Sequence, residues 1–184
     1  MMKIINTKID GVFVIENDPI IDSRGAFSRL FCEKEFSPIL GNRHIVQINH
    51  SITRTIGAIR GLHYQYPPFA EMKMVRCLKG RVWDVALDLR QGSPTFLKWH
   101  VEELTSENAK IIVIPEGFAH GFQVMNENSE LLYLHTAFYE KSVEGAIRFD
   151  DPNLSIHWPL PVTDISERDK NHPIINKLFT GIKL

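Results

Sequence analysis

Along most of this chain apolar and polar residues alternate in short runs, with little of the spacing of an amphipathic helix. Arg81–Leu89 (RVWDVALDL) is the clearest case. Val82, Asp84, Ala86 and Asp88 fall on one face, and Trp83, Val85, Leu87 and Leu89 on the other. Comparable runs rich in Val, Ile, Phe, Tyr and Trp predict strands at Gly11–Glu16, Ala26–Phe31, Ile45–Ser51, Met74–Leu78, Thr95–Glu103, Lys110–Ile114, Gly117–Val124, Leu131–Ala137 and Ala146–Phe149. Turn residues separate them: Asp22-Ser23-Arg24-Gly25, a hairpin signal at Lys79-Gly80, Thr105–Asn108 and Pro115. A short helix is expected over Lys34–Leu40, closed by Gly41, and a helical turn over Ser166–Asp169 with Ser166 as its N-cap. Strands recurring at roughly 8–12 residues predict an all-β sandwich or closed barrel with short peripheral helices. From Asp150 the pattern dissolves into a segment bearing Pro152, Pro159, Pro161 and Pro173, expected to wrap the barrel with little regular structure.

Composition narrows the classes. A chain of 184 residues suits one domain, 1–184, with a core over about 10–150 and a wrapping tail over 151–184. A hydrophobic share of 43% and a charged share of 23% are those of a soluble globular protein. The net charge of -1 argues against nucleic-acid and membrane partners, and no apolar run is long enough to span a bilayer. The N-terminal stretch lacks the pattern of a signal peptide, so a cytoplasmic location is expected. Cys32 and Cys77 lie far apart in strand-like contexts and are read as buried free thiols.

Candidate chemistry concentrates in Gly57–Val75 (GAIRGLHYQYPPFAEMKMV), where Arg60, His63 and Lys73 stand among apolar residues. Burying such groups is costly unless they have partners or a task. A lone histidine of this kind is most often a satisfied core residue. A second apolar-flanked one, His120 in PEGFAHGF, favours a pocket, and a neutral imidazole there would serve as a base. Lys73, hemmed by Met72, Met74 and Val75, is either a snorkelling strand lysine or an ammonium that steadies a developing oxyanion. Arg24 and Arg60 each precede a glycine and suit phosphate oxygens, though structural ion pairs fit them equally well. Tyr133 reads as a barrel-core phenol or a proton donor, and Asp169, read locally, as a solvated turn carboxylate. Gln47 and Asn49 share one face of their strand. No metal site is expected: there is no H-x-H pair, since position 65 is Gln65, and no Glu-x-x-His pattern. Dinucleotide loops, P-loops and nucleophile elbows are also missing from the sequence.

From about residue 3 to 175 the chain resembles the dTDP-4-dehydrorhamnose 3,5-epimerase family. The resemblance is carried by DSRG at 22–25, QINHS at 47–51, RGLHYQ at 60–65, KMV at 73–75, DVALDLR at 84–90, PEGFAHGF at 115–122, DDP at 150–152, Trp158-Pro159 and SERD at 166–169. It implies a cupin-type jelly roll acting as a homodimer without metal or cofactor, in deoxysugar synthesis for cell-surface polysaccharide. The implied reaction removes and returns protons at C3 and C5 of a nucleotide-linked 4-keto-6-deoxyhexose. Position by position, the resemblance implies His63 as base, Asp169 as its paired carboxylate, Lys73 as stabiliser of the C4 enolate and Tyr133 as the acid on the opposite face. Arg60 would meet the diphosphate and His120 the sugar. Gln47, Asn49 and Tyr139 would be further binding positions, and Arg24 would reach into the neighbouring subunit's site.

Four positions depart from the family's habit: Ile20, Arg29 and Ile48 stand where an aromatic, a glutamate and an acidic residue are common, and Phe138 replaces the first of two tyrosines. At least two of these belong to the nucleotide-base region by the same resemblance. The main expectation is therefore the double epimerase acting on the dTDP sugar. The alternatives are a monofunctional C3- or C5-epimerase on another carrier such as CDP, and a non-catalytic sugar-nucleotide-binding barrel.

Overall fold

The computed structural model describes residues 2–184; Met1, the first residue of the expected 1–184 unit, lies outside the described residues. Two antiparallel sheets face each other. The larger has the spatial order β1 (Met2–Asn6), β2 (Phe13–Asn17), β10 (Ile111–Ile114), β7 (Lys73–Lys79), β12 (Ser129–His135), β5 (Gln47–Thr53). The smaller runs β13 (Glu144–Ala146), β6 (Ile59–Gln65), β11 (Phe118–Val124), β8 (Arg81–Asp88), β9 (Trp99–Thr105). A hairpin of β3 (Ile20–Asp22) and β4 (Gly25–Phe27) stands apart from both. The only α-helices among the described residues are α1 (Glu33–Leu40), ended by Gly41 as expected, and α2 (Glu167–Lys170). This is the all-β architecture that the alternation predicts, and the jelly roll that the resemblance implies.

The alternation of β8 sets the layers. Val82 and Ala86 join Val75, Cys77, Ile112, Ile114, Phe118 and Leu131 in the core between the sheets. Val85, Leu87 and Leu89 face the other way and pack under the C-terminal tail against Leu154, Ile156 and Ile182. The outer face of the larger sheet is partly covered by α1, whose Phe36, Ile39 and Leu40 meet Met74, Ile111 and Val113. Each such fully buried aliphatic side chain contributes about 1.5–3 kcal/mol.

Several strands differ from expectation for identifiable reasons. Lys79-Gly80 is not a hairpin turn: β7 pairs with β10 and β12 in one sheet and β8 with β11 and β9 in the other, so this dipeptide crosses between sheets. Gly80 takes φ 78° there, and a Cβ would stand 2.5 Å from Ser129 Oγ. The strand expected from Thr95 begins only at Trp99, because Ser93 and Thr95 turn their hydroxyls back onto the buried Asp88 carboxylate, at 2.5 and 2.6 Å. Similarly, the strand expected over Ala26–Phe31 ends at Phe27, and that over Ala146–Phe149 is β13, ending at Ala146. Both cysteines are free; Cys77 is buried in β7, but Cys32 is half-buried at the start of α1 rather than in a strand.

The tail is tied down by side chains. Gln123, fully buried, donates to the carbonyls of Gly57 and Leu160 and accepts the Leu160 N–H. The Ile59 N–H donates to the Asp164 carbonyl at 2.9 Å. These bonds lay residues 160–170 alongside β6, which is what brings α2 to the site.

Candidate active site

One cavity of about 660 Å³ opens between the two sheets and the tail. His63 and Arg60 of β6, Lys73 of β7, His120 and Phe122 of β11, and Tyr133 and His135 of β12 line it, together with Asn49, Ser51, Arg168 and Asp169.

A bulge in β6 shapes its floor. His120 pairs with His63, but Phe122 pairs with Arg60, so Gly121 of β11 alone stands opposite Gly61 and Leu62 of β6. Both Arg60 and His63 therefore face the cavity although they are three residues apart. Gly61 sits in the bulge at φ 116°, and a Cβ there would lie 2.6 Å from the His120 carbonyl oxygen. The bulge also frees the Gly61 N–H, which donates to Asp169 Oδ2 at 3.1 Å. Asp169 is placed by α2: Ser166 caps that helix, its Oγ accepting the Asp169 N–H at 3.0 Å.

Asp169 Oδ1 meets His63 Nε2 at 2.9 Å and His172 Nε2 at 3.1 Å. An Arg168 amino group also lies 3.2 Å from His63 Nε2. The two contacts ask for opposite tautomers. The buried carboxylate outweighs the largely exposed guanidinium, so Nε2–H donates to Asp169 and Nδ1 keeps its lone pair. Burial alone would raise the Asp169 carboxyl, but the hydrogen bond and charge of His63, with the Gly61 and His172 donors, hold it well below the usual range.

On the facing sheet, Lys73 is buried and its ammonium lies 3.0 Å from Glu71 Oε1. The other Glu71 oxygen accepts from His135 Nδ1 at 2.7 Å. Burial works to raise the Glu71 carboxyl, yet Lys73 and His135 bring it down to about 2. The Tyr133 phenol lies 3.1 Å from Ser51 Oγ, and burial pushes its pKa above the usual value, so it is held as a proton donor. His120 donates from Nε2 to the fully buried Asp84 at 2.8 Å. Arg60 lines the cavity and bonds Thr53 Oγ1 through Nε at 2.9 Å.

The family model for dTDP-4-dehydrorhamnose 3,5-epimerase matches residues 6–177. The chain belongs to this epimerase family. The dTDP-4-dehydrorhamnose 3,5-epimerase of Shigella flexneri is 43% identical over 171 residues, which are 92% of this chain and 94% of that one. The crystal structure of the Elizabethkingia anophelis dTDP-4-dehydrorhamnose 3,5-epimerase superposes with a TM-score of 0.90 at 41% identity, covering 97% and 98% of the two chains. That of the dTDP-6-deoxy-D-glucose-3,5-epimerase of Legionella pneumophila, in complex with dTDP-4-keto-L-rhamnose, gives 0.91 at 39%, covering 97% and 95%.

In this epimerase the cavity gathers seven of the positions singled out in the sequence: His63, Lys73, Tyr133, Asp169, Arg60, His120 and Asn49. Gln47 stands beside it, its amide donating to Asn49 Oδ1 at 3.3 Å. Tyr139 is exposed and does not line the cavity; its N–H donates to Gln47 Oε1 and its phenol to Glu144. Arg24 is also outside, on the turn of the β3–β4 hairpin, exposed and paired with Asp22. Gln65 is no substitute metal ligand. It is buried, with its amide bonded to the carbonyls of Phe69 and Phe138 and the N–H of Glu140. His63, Asp169 and His172 lie close enough for a metal ion, but the Arg168 guanidinium on the same atoms opposes a second cation.

Sequence reasoning missed Glu71, His135, Ser51, Arg168 and His172. His135 carried a usable signal, standing two residues after Tyr133 and so on the same strand face. Glu71 stood between Ala70 and Met72 in the same apolar stretch as Lys73 and was passed over; its side chain turns inward to Lys73 and His135.

Proposed function

We propose that the cavity binds a dTDP-linked 4-keto-6-deoxyhexose and inverts C3 and C5 by stepwise proton transfer. The observation that carries this reading is the placing of a base and an acid on opposite sheets: His63, oriented by Asp169, on β6, and Tyr133 on β12. A C4 ketone acidifies the hydrogens on either side of it. His63 Nδ1 takes one, the electron pair moves to the C4 oxygen, and the Lys73 ammonium stabilises the oxyanion. Tyr133 returns a proton to the opposite face, which inverts the carbon. Arg60 suits the diphosphate, and His120 and Asn49 the sugar hydroxyls. Incubation with dTDP-4-keto-6-deoxyglucose in D₂O, followed by NMR, tests this: deuterium at both C3 and C5 with an L-configured product is expected. Deuterium at one carbon only would make the protein a monofunctional epimerase, and none would overturn the substrate assignment.

The proposed working unit is a homodimer in the cytoplasm, with residues 1–184 as a single epimerase domain. Ile48 and Ile52 on the outward face of the edge strand β5, and Ile20, Ile21 and Phe27 on the β3–β4 hairpin, are exposed. Arg76 lies buried on the same outward face with Nε and Nη1 unpartnered. Such an apolar face suits a second copy. In that dimer Arg24 would enter the neighbour's cavity. Co-refolded Arg24→Ala and His63→Ala chains should then recover activity that neither has alone; no recovery, or an active monomer in light scattering, would refute it.

A further inference from the structure

The cavity's larger-sheet wall carries a hydrogen-bond chain that neither the fold nor the base–acid pair requires. Glu71 grips Lys73 through Oε1 at 3.0 Å and, being ionised, can only accept from His135 Nδ1, at 2.7 Å. That fixes the His135 tautomer: the proton is on Nδ1, and Nε2 is an acceptor. The Asn49 side-chain amide lies 3.3 Å from that nitrogen and so donates to it. Asn49 Oδ1 accepts from Gln47 Nε2, and Gln47 Oε1 accepts from the Tyr139 N–H at 3.1 Å. Every donor meets an acceptor: the bonds run in one direction from the edge of the cavity to Glu71, whose other oxygen accepts from the Lys73 ammonium. Lys73, Glu71 and His135 are all about nine-tenths buried at the side chain, and the His135 ring stacks on Tyr133 at 6.0 Å and 17°.

We infer that Glu71 and His135 are positioning residues for the epimerisation: the shared carboxylate fixes the Lys73 ammonium and, through His135, ties its pose to the Asn49 and Gln47 amides. A four-carbon lysine stem has many rotamers, and an ammonium held within hydrogen-bond reach of an oxyanion must be restrained to one. Glu71 supplies that restraint from behind, where it does not itself face the cavity. Because the chain ends in side-chain amides at the sugar-facing edge, ligand that engages Asn49 also completes the restraint on Lys73. The other charged groups sharing the cavity bear on Lys73 less directly. Asp169 is committed to His63, and Asp84 to His120. Arg60 holds Thr53, and Arg168 holds Glu144.

This inference rests on the proposed role of Lys73, and a double-mutant cycle separates the two. Glu71→Gln, Lys73→Met and the combined variant are compared for kcat, KM and deuterium incorporation, with thermal melts as a control for folding. Glu71→Gln is expected to lower kcat about ten- to a hundredfold with KM within about threefold, the scale of a misplaced reacting group. In the Lys73→Met background the same change should cost nothing further. An equal loss in both backgrounds, or no loss in the first, overturns the positioning role. Lys73→Met at the wild-type rate would instead refute the role of Lys73. Should Glu71→Gln fail to fold, His135→Gln takes its place in the cycle, with a smaller kcat loss expected that again vanishes without Lys73. A loss that persists there also overturns the inference.

Discussion

Replacing Asp169 by asparagine changes one atom pair and tests the base directly. Three donors converge on this carboxylate, which is 3% exposed: His63 Nε2–H at 2.9 Å and His172 Nε2–H at 3.1 Å on Oδ1, and the Gly61 N–H at 3.1 Å on Oδ2. An asparagine offers one acceptor oxygen. Turned with its amide nitrogen toward the histidines, it forces the His63 proton onto Nδ1, where the lone pair is needed. Turned the other way, it sets its N–H₂ against the Gly61 N–H. Either way at least one buried donor is orphaned, at about 1–3 kcal/mol. For a protein of this size that lowers Tm by roughly 2–4 °C per kcal/mol. Catalysis should fall much further, by about 10²–10⁴-fold, the usual worth of a positioned base, with KM little changed. Deuterium wash-in at C3 and C5, followed by NMR at a temperature well below the melt, reads the chemical step apart from stability. Exchange within about threefold of the unmodified protein would refute the need for a carboxylate behind His63.

Gly61→Ala places a methyl group 2.6 Å from the His120 carbonyl at φ 116°, so a loss of about 3 kcal/mol or more is expected; an unchanged melting curve would refute the bulge's need for glycine. Tyr133→Phe should spare exchange while impairing inversion at C5, and an unaltered product mixture would count against Tyr133 as the acid. Stability should also fall in acid. The Glu71 value drops from 4.5 to about 2, so its ion pairing contributes fully above pH ~4.5 and is lost as the pH approaches 2. That difference corresponds to on the order of 3 kcal/mol, with Asp169 adding in the same direction. Denaturant titrations across this window should show a shallower acid loss in Glu71→Gln, and an identical slope would exclude this source.

The strand pattern was legible where neighbours obey simple alternation. β8 reads correctly because one face meets the inter-sheet core and the other the tail. β6 was not recognised as a strand, since its bulge puts Arg60 and His63 on one face at a spacing of three, which breaks strand alternation. β1 was missed as well, a short edge strand with little burial to mark it. Lys79-Gly80 misled because a turn signal cannot say whether the next strand joins the same sheet. Within the site, His63 and Lys73 announced themselves as charges in apolar runs. Asp169 did not, because its partner is 106 residues away and only the resemblance to the epimerases connected them. Arg24 and Tyr139 lie off the cavity, and no local pattern in the sequence marks them as standing outside it.

Four histidines line the cavity, each with a carboxylate; the His50 ring turns to Glu130 on the outward face of β5, and physical chemistry tells the other three apart. His135 has both nitrogens engaged, Nδ1 with Glu71 and Nε2 with Asn49, so it has no lone pair to offer. His120 is 6% exposed against a fully buried Asp84 whose Oδ1 has no partner, a setting that orients a ring but gives a captured proton no path to water. His63 is directly across the strand pair from His120, yet its side chain is 27% exposed, and only its Nε2 is engaged. A base whose proton exchanges with solvent needs both a free lone pair and that access, and His63 alone has them. His63→Asn should therefore abolish deuterium incorporation, whereas His120→Asn should slow it through a higher KM while leaving exchange measurable. Exchange that survived in the first variant and vanished in the second would transfer the role of base to His120.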